Sequence, residues 1–448
     1  MKSGRAFRNI AALGAVLLFG IIASGISGEG DWAYWRGPDS DGMARGDAPL
    51  NWSDTENVKW KIPVPGLGQS SPVLWGDRIF ITTAIQTGSA PKKEPAPKSG
   101  RGGFNMAAQG PQAEHKFDVL CIDRKTGEIL WQRTATTAAP HEGFHGQYGS
   151  FASNSPVTDG RHVYAFFGSR GIYCYDMDGN LLWGKDFGVK MRMRMAFGEG
   201  MAPVLSGDRL ILVFDHEEDS FMVVLDKNSG KEIWKVARDE GSEWAAPLVV
   251  EYEGRKQIIT NGTNKVRSYD FNSGEVIWEC GGLGANPIPA PVRQDDLVFV
   301  MTGFMNPNLM AIRLGGTGDL TGTDYIVWNQ TRGNSYTASP VLFENKLYVL
   351  TDDAKFSCYN ARTGEPYYHQ ERLPGVFSFK SSPVGANGKL YIASENGVVL
   401  VLKMGEKFEV LATNTMPDQM FVATPAISDG EIFLRSQTQL FCISDKEP

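Results

Sequence analysis

Short stretches of alternating or continuously apolar residues, separated by tight polar turns, recur along most of this chain. The clearest copy spans Phe117 to Trp131. Within it, the Asp123 side chain can accept hydrogen bonds from the backbone that follows, and Gly127 supplies the positive φ that such a turn often needs. The β-branched and aromatic residues on either side are typical of strands. This segment predicts a strand, a tight turn and a second strand that ends in Trp.

The same pattern recurs further along the chain, which indicates a repeat protein. Copies lie at 173–183, 224–234 and 268–278, and a weaker copy at 358–368 has Tyr in the place of Trp. A small residue followed by Pro opens each repeat, and the openings lie at Pro72, Pro156, Pro203, Pro247, Pro291, Pro340, Pro383 and Pro425. From the second opening onward the spacing is roughly 42 to 49 residues, the length of a four-stranded propeller blade.

The two ends of the repeat array complement each other. The eighth repeat, from Pro425 to Ile443, contains three strands and lacks the fourth. The segment 58–64 reads as one alternating strand, and its Trp60 matches the Trp that ends a repeat although no repeat precedes it. Pairing of this strand with the last repeat would remove exposed sheet edges. We therefore predict an all-β fold, an eight-bladed β-propeller whose ring is closed by the N-terminal strand in the last blade.

The N-terminal segment is typical of a secretory signal. Three basic residues within the first eight precede an apolar run at 10–22, and small residues follow at 23–28. The run is short for a transmembrane helix. We therefore expect residues 1–28 to be a signal peptide and the mature chain to lie in the periplasm or cell envelope without a membrane span, with an uncleaved anchor as the alternative. No Cys lies near the expected cleavage region, which argues against a lipid anchor.

Three further segments complete the expected domain organisation. Residues 29–57 are rich in Trp, Gly and Asp and predict an arm packed on the propeller, because Trp is costly to leave in water. The propeller itself is expected over 58–448. Its first repeat carries an insertion at 86–116, in which a high density of Pro, Lys and Gly predicts disorder.

Charge and cysteine content narrow the function classes. The 448 residues carry a formal net charge of −7 and no long basic run, so nucleic acid is not an expected partner. Four of the five Cys occupy equivalent places in different repeats, which the repeat geometry keeps apart, so we expect buried thiols and no disulfide. We expect a monomer whose partner, if it has one, is an envelope protein or a glycan.

Loop topology sorts the polar residues by face. The loop that enters a blade and the loop between its second and third strands lie on the same face of a propeller. One such loop contains His141, Glu142 and His145 in the spacing of the zinc protease motif, but Pro140 and several glycines argue against the helix which that motif needs. A metal site that uses His141, His145 and His216 is one interpretation, and ordinary hydrogen-bonded loop histidines are the other.

A neighbouring loop of the same face concentrates carboxylates. The loop between the second and third strands of the third blade contains Asp215, His216, Glu217, Glu218 and Asp219, and such crowded negative charge must be solvated, paired or bound to a cation. Arg192 and Arg194, in the loop that enters this blade, are natural partners. An internal ion-pair network and a ligand site both fit the pattern, and a concave mouth at the ring axis is the default ligand site of a propeller.

The recurrent turn, Asp-x-x-Thr/Ser-Gly-x-x-x-Trp, resembles the pyrroloquinoline quinone (PQQ) propeller repeat of the quinoprotein alcohol dehydrogenase-like superfamily. The segments 32–38 and 69–73 are similar to the exported PQQ-like propellers of planctomycetes and related bacteria. The resemblance implies the fold and two kinds of function. Quinoprotein dehydrogenases hold PQQ beside Ca²⁺, with an Asp as base and adjacent cysteines on the cofactor, whereas the outer-membrane assembly propeller is a lipoprotein that binds protein partners.

The sequence departs from both kinds. It contains no adjacent pair of cysteines, and it lacks the Cys that a lipoprotein would carry. Our leading interpretation is an exported, non-enzymatic binding or scaffold module. The alternative is a PQQ- or metal-dependent oxidoreductase with its site at the ring axis, for which PQQ with Ca²⁺ is implied by the resemblance alone.

Overall fold

A computed structural model describes residues 31–89, 112–375 and 378–445. The predicted signal peptide and most of the predicted insertion lie outside the described residues. The described part consists of strands and two short 3-10 turns, at Gly168–Arg170 and Arg194–Ala196. It contains no helix with the length and hydrophobicity that a membrane span requires.

The strands form eight sheets, and each sheet corresponds to one of the sequence repeats. Strand β1 (Val58–Pro63) precedes the first repeat. Blade 1 contains β2 (Val73–Trp75), β3 (Arg78–Gln86), β4 (His115–Asp123) and β5 (Ile129–Ala138); blade 2 contains β6 (Val157–Thr158), β7 (His162–Phe166), β8 (Ile172–Asp176) and β9 (Leu181–Lys185). Blade 3 contains β10 (Val204–Ser206), β11 (Arg209–Phe214), β12 (Phe221–Asp226) and β13 (Glu232–Ala237); blade 4 contains β14 (Leu248–Tyr252), β15 (Arg255–Thr260), β16 (Val266–Asp270) and β17 (Val276–Cys280).

The remaining four blades repeat the order. Blade 5 contains β18 (Val292–Gln294), β19 (Leu297–Thr302), β20 (Asn308–Arg313) and β22 (Ile326–Gln330), while β21 (Gly318–Asp319) adds a parallel fifth strand to the edge of blade 4. Blade 6 contains β23 (Val341–Phe343), β24 (Lys346–Leu350), β25 (Lys355–Asn360) and β26 (Pro366–Arg372); blade 7 contains β27 (Val384–Ala386), β28 (Lys389–Ala393), β29 (Val398–Lys403) and β30 (Val410–Thr415). Blade 8 contains β31 (Ala426–Ser428), β32 (Glu431–Arg435) and β33 (Gln439–Ser444).

The ring closes as the sequence predicts. Strand β1 pairs antiparallel with β33, with Trp60 opposite Cys442, and so supplies the fourth strand of blade 8. The eight-bladed propeller and its closure by the N-terminal strand are confirmed. The ladder between β3 and β4 continues outward to Gln86 and His115, so the described ends of the predicted insertion are paired strand.

Contacts between adjacent blades explain why the recurrent turn contains Gly and why the strand after it ends in Trp. The Trp that ends one blade donates its indole N–H to a carbonyl in the turn of the next blade at 2.9–3.2 Å, and the ring covers the turn Gly. A Cβ added to these glycines would lie 2.6–2.9 Å from the ring atoms, and each Gly has a positive φ, so only Gly fits. The five pairs are Trp60 with Gly127, Trp131 with Gly179, Trp183 with Gly230, Trp234 with Gly274 and Trp328 with Gly364.

The residue before Pro in each repeat opening serves a second inter-blade contact. Where it is Ser or Thr, its hydroxyl accepts the backbone N–H of the corresponding residue of an adjacent blade, at 2.8–3.3 Å. The accepting hydroxyls, in order around the ring from blade 2 to blade 6, belong to Ser155, Ser71, Thr424, Ser382 and Ser339. This chain of bonds joins the innermost strands of blade 8 and blade 1, and it therefore supports the ring beside the break in the covalent chain, which lies within blade 8 between β33 and β1.

The five cysteines are buried and free. The four at equivalent repeat positions lie on the third strand of their blades, opposite the residue in the position of the terminal Trp. These cross-strand pairs are Cys121 with Trp131, Cys174 with Trp183, Cys358 with Tyr368 and Cys442 with Trp60. A small thiol at this place makes room for the large ring beside it.

Candidate functional site

The N-terminal arm enters the central channel of the ring. Trp32, which is fully buried, forms an antiparallel bridge with Leu74 of β2, the innermost strand of blade 1. The hydroxyl of Tyr34 donates to the carbonyl of Leu205 on β10, the innermost strand of blade 3, at 2.5 Å. Because innermost strands line the channel, these contacts place the start of the arm inside it. The contacts of the arm with these strands are therefore made from within the ring.

The tip of the arm reaches blades on the other side of the channel. Arg36 is 1% exposed and donates to the carbonyl of Pro383 at 2.8 Å and to that of Pro340 at 2.5 Å. Burial lowers the pKa of this guanidinium to about 10. On the way out, Met43 pairs with Gly385 of β27. The arm therefore fills the channel and ties blades 1, 3, 6 and 7 together.

Above the tip lies a cavity of about 230 Å³ at the ring axis. Trp35 of the arm closes its base, so the channel is a blind cup that opens on the face predicted to carry the polar loops. Besides Trp35, further aromatic side chains line part of the wall among small and polar residues, and they come from the loops that enter several blades. They are His145, Tyr148, Phe197, Trp244 and Tyr336.

The aromatic side chains of the cup are held in place by their own contacts. The imidazole of His145 stacks on Tyr148 with 3.7 Å between ring centroids, and the Lys380 ammonium lies 4.9 Å from the Tyr148 ring centroid. Burial, and then the charge of Lys380, lower the pKa of His145, so this imidazole is neutral. Trp244 donates its indole N–H to the carbonyl of Gly198 at 2.7 Å. The cup is thus pre-formed.

The charged groups that line the cup are committed to partners. Lys380 donates to Asp352 at 2.6 Å, and the same carboxylate accepts from the Thr337 hydroxyl. Glu199 accepts from Arg170 at 2.8 Å and from both the backbone N–H and the hydroxyl of Ser169. Lys380 and Glu199 are the charged residues among the described residues that line the cup. The cup therefore offers no uncompensated charge to a ligand.

One polar side chain of the cup lacks a partner. Gln69 lines the cavity and is 5% exposed, and neither the oxygen nor the nitrogen of its side-chain amide has a hydrogen-bond partner within the described residues. Buried polar groups of this kind are rare and costly. Sequence reasoning did not identify Gln69, Trp244 or Lys380 as site residues, although each stands three residues before the Pro that opens its repeat, and this shared position was a signal that could have found them.

The structure places several of the predicted residues on the rim beside the cup. His141, Glu142, Arg192 and Arg194 line one shallow pocket together with Glu217. His141 donates from Nε2 to the Met191 carbonyl at 2.7 Å, Glu142 accepts the backbone N–H of Met193 at 3.0 Å, and Glu217 accepts from the Ser242 hydroxyl at 2.8 Å. The topological argument therefore collected these side chains correctly on one face.

The other predicted residues lie elsewhere. His145 belongs to the cup, and Asp215 and His216 are buried in blade 3. His216 accepts the backbone N–H of Arg192 at Nδ1, 3.4 Å away, and its Nε2 has no partner within the described residues. The described part of the chain contains no group of three or more His, Cys, Asp and Glu side chains placed to hold a metal ion. The metal site at His141, His145 and His216 therefore stays a prediction, and no donor cluster among the described residues supports it.

The natural partner of Asp215 differs from the one that the sequence suggested. Arg238 binds its carboxylate through Nε and Nη2, at 2.8 Å and 2.7 Å, and both side chains are fully buried. Arg192 approaches Glu218, another carboxylate of the predicted cluster, at 3.8 Å. Arg238 follows β13 and Asp215 follows β11, so both lie at the same end of the blade 3 sheet, whereas the Arg192 side chain is 73% exposed.

The carboxyl of Glu142 gives the rim a predicted pH dependence. Burial, and then the charge of Glu199, raise its pKa to about 7, against an opposing hydrogen bond from Met193. The folded state therefore holds an extra proton between the usual Glu pKa of about 4.5 and 7, so stability contributed by this group falls as the pH rises through that window. We expect the melting temperature of E142Q to decline less between pH 4.5 and 7.5 than that of the wild type.

The matched control for this experiment is E218Q, which removes one negative charge from the exposed part of the same rim. Thermal unfolding of all three proteins across the pH range separates the two effects. A decline that E218Q reduces as much as E142Q does would contradict the assignment of the proton to Glu142.

The sequence matches the family model described as outer membrane protein assembly factor BamB over residues 115–303 and 317–406, more than half of the chain. The chain belongs to this family of PQQ-like β-propellers. The resemblance noted from the repeat motif, to the quinoprotein alcohol dehydrogenase-like superfamily, is thereby confirmed. No curated protein sequence matches the chain.

Solved structures share the propeller fold of this BamB-type family member. A europium-containing methanol dehydrogenase has a TM-score of 0.62 at 10% identity, with 93% of this chain and 98% of that chain covered. A quinohemoprotein alcohol dehydrogenase from Comamonas testosteroni has a TM-score of 0.60 at 8% identity, covering 93% and 81%. The computationally designed Ika8 protein has a TM-score of 0.55 at 11% identity, covering 85% and 98%. At such identities these likenesses concern the fold alone.

Proposed function

We propose that this chain is an exported, non-enzymatic binding module of the periplasm or cell envelope, which holds a ligand in the cup at the ring axis. One observation carries the proposal: the arm blocks the channel, and both charged groups of the resulting cup are neutralised by partners of the same chain. A pre-formed, aromatic-lined and blind cavity is a typical ligand site. Membership in a family described by an outer-membrane assembly factor supports the envelope location.

The alternative, a PQQ-dependent oxidoreductase, requires groups that the cup does not supply. PQQ is a tricarboxylate, and Lys380, the cation among the described lining residues, already binds Asp352. A Ca²⁺ ion needs several free oxygen ligands. The carboxylate oxygens of Glu199 instead accept hydrogen bonds from Ser169 and Arg170. The residues of the cup therefore do not fit the cofactor or its metal.

The test is reconstitution of the purified mature chain with PQQ and CaCl₂, followed by dialysis, an absorbance spectrum, metal analysis and a dye-linked alcohol dehydrogenase assay. A quinoprotein dehydrogenase treated in parallel is the positive control. We expect neither quinone nor calcium to be retained in stoichiometric amounts. Retention of both, with turnover of an alcohol, would overturn the binding-module proposal in favour of the oxidoreductase.

A further inference from the structure

The unpaired amide of Gln69 lies beside hydroxyl and backbone groups that the fold already uses. The hydroxyl of Ser70 accepts from the Thr82 backbone and from Arg435, and the hydroxyl of Ser71 accepts from Thr424. The backbone N–H of Gln69 itself donates to the carbonyl of Ala152 at 3.0 Å. These groups are therefore paired without the Gln69 amide. A buried amide that the fold does not use, in the wall of a cavity, indicates that its partner is a ligand.

The rest of the cup restricts what that ligand can be. Its charged groups are paired, so a charged ligand would meet no counter-ion. Aromatic side chains line part of the wall, and the cavity of about 230 Å³ is smaller than the ~300–1,000 Å³ of pockets for drug-sized molecules. The His145 imidazole covers one face of the Tyr148 ring, and the Lys380 ammonium also lies over the Tyr148 ring. The Arg36 guanidinium lies over the ring of Trp35. The ligand is therefore small and neutral, with an apolar face and at least one hydrogen-bonding group.

We propose that the cup binds one neutral sugar ring of the N-acetylhexosamine class, with its apolar face against the tryptophans Trp35 and Trp244 and its acetamido group on the amide of Gln69. An acetamido group offers one N–H donor and one carbonyl acceptor, which are the complements of the acceptor and donors of a Gln side chain. Such a pair would satisfy both orphan atoms at once. This inference rests on the proposed binding function and names its ligand; the ring is either a free monosaccharide or the end of a glycan.

The experiment is saturation-transfer NMR and calorimetry on the mature chain with N-acetylglucosamine, glucose, di-N-acetylchitobiose and uracil. We expect saturation transfer to be strongest at the acetyl methyl of N-acetylglucosamine, and glucose to bind at least fivefold more weakly. Binding of the disaccharide as well identifies the end of a glycan as the ligand, and its failure to bind identifies the free monosaccharide. Uracil, a flat ring with an amide edge, would overturn the sugar assignment if it bound more tightly than N-acetylglucosamine.

The variant Gln69→Leu separates ligand recognition from folding. It removes the orphan amide while keeping the volume, so we expect an unchanged or higher melting temperature together with loss of the preference for N-acetylglucosamine over glucose. The control Gln437→Leu changes a less buried Gln of the same face and is expected to leave binding unchanged. An unaltered sugar preference in Gln69→Leu, or no saturation transfer to any sugar, would overturn this inference. If PQQ is not retained either, the proposed binding function survives that failure.

Discussion

Replacement of Arg238 by Met is expected to lower the free energy of unfolding by about 3–5 kcal/mol, because it leaves a buried carboxylate without its counter-charge. The side chains of Arg238 and Asp215 are both 0% exposed, and three hydrogen bonds join them. Arg238 also donates to the Tyr269 hydroxyl and to Thr260, both at 2.7 Å. Water cannot replace the guanidinium at this depth, so the loss is not compensated by solvation.

A second acid makes the charge balance of this cluster clear. Glu243, fully buried beside the pair, lies 3.5 Å from Arg238, and burial followed by the charge of Asp215 raises its pKa well above the usual value. Burial therefore favours the neutral form of Glu243, and Arg238 is the counter-charge of the Asp215 carboxylate. Removal of Arg238 leaves that carboxylate uncompensated inside blade 3.

Urea unfolding of R238M, D215N and the double variant measures this prediction. Because D215N removes the orphaned charge, we expect the double variant to be more stable than the sum of the single effects implies. The control R313M breaks an exposed pair, 3.6 Å from Asp296, which is worth about 0–1 kcal/mol. A loss in R238M no larger than the loss in R313M would contradict the idea that burial makes this pair indispensable.

The repeat pattern was sufficient for the fold because the blades are built by local sequence. Each Pro opening and each Asp-to-Trp turn lies within one blade, so the blade count, the missing fourth strand and the role of Trp60 could all be predicted. The signal peptide and export remain predictions, because they concern residues outside the described part of the chain.

The site could be predicted only as far as topology reaches. Topology brought His141, Glu142 and Glu217 to one rim, but it could not show that the arm enters the channel, since Arg36 contacts Pro383 at a separation of 347 residues in the sequence. Nor could it find the Gln69 amide, because the absence of a partner depends on the exact contacts of every neighbouring group. The nearest charges in sequence also misled the search for the partner of Asp215.

Replacement of Trp60 by Ala is expected to cost about 3 kcal/mol and to open the ring at its seam. Its indole N–H donates to the Arg124 carbonyl at 2.9 Å and its ring covers Gly127 of blade 1, while its backbone pairs with β33. Trp→Ala changes cost about 3–5 kcal/mol when the ring is fully buried, and Trp60 is only partly buried. Urea unfolding measures the loss of free energy.

W183A is the matched control, because Trp183 makes the same two contacts, to the Lys227 carbonyl and to Gly230, at a boundary between consecutive blades. We expect a similar free-energy loss in both variants. Blade 2 of W183A keeps all four strands from one continuous stretch of chain, whereas in W60A strand β1 is joined to blade 8 by non-covalent pairing alone. Detachment of β1 exposes the edge of β33, and exposed edges promote aggregation. W60A should therefore show faster proteolysis near residues 58–63 and concentration-dependent aggregation that W183A lacks. Equal behaviour of the two variants would contradict this prediction. It would mean that Arg124, Arg435 and the hydroxyls of the repeat openings hold the ring closed without Trp60.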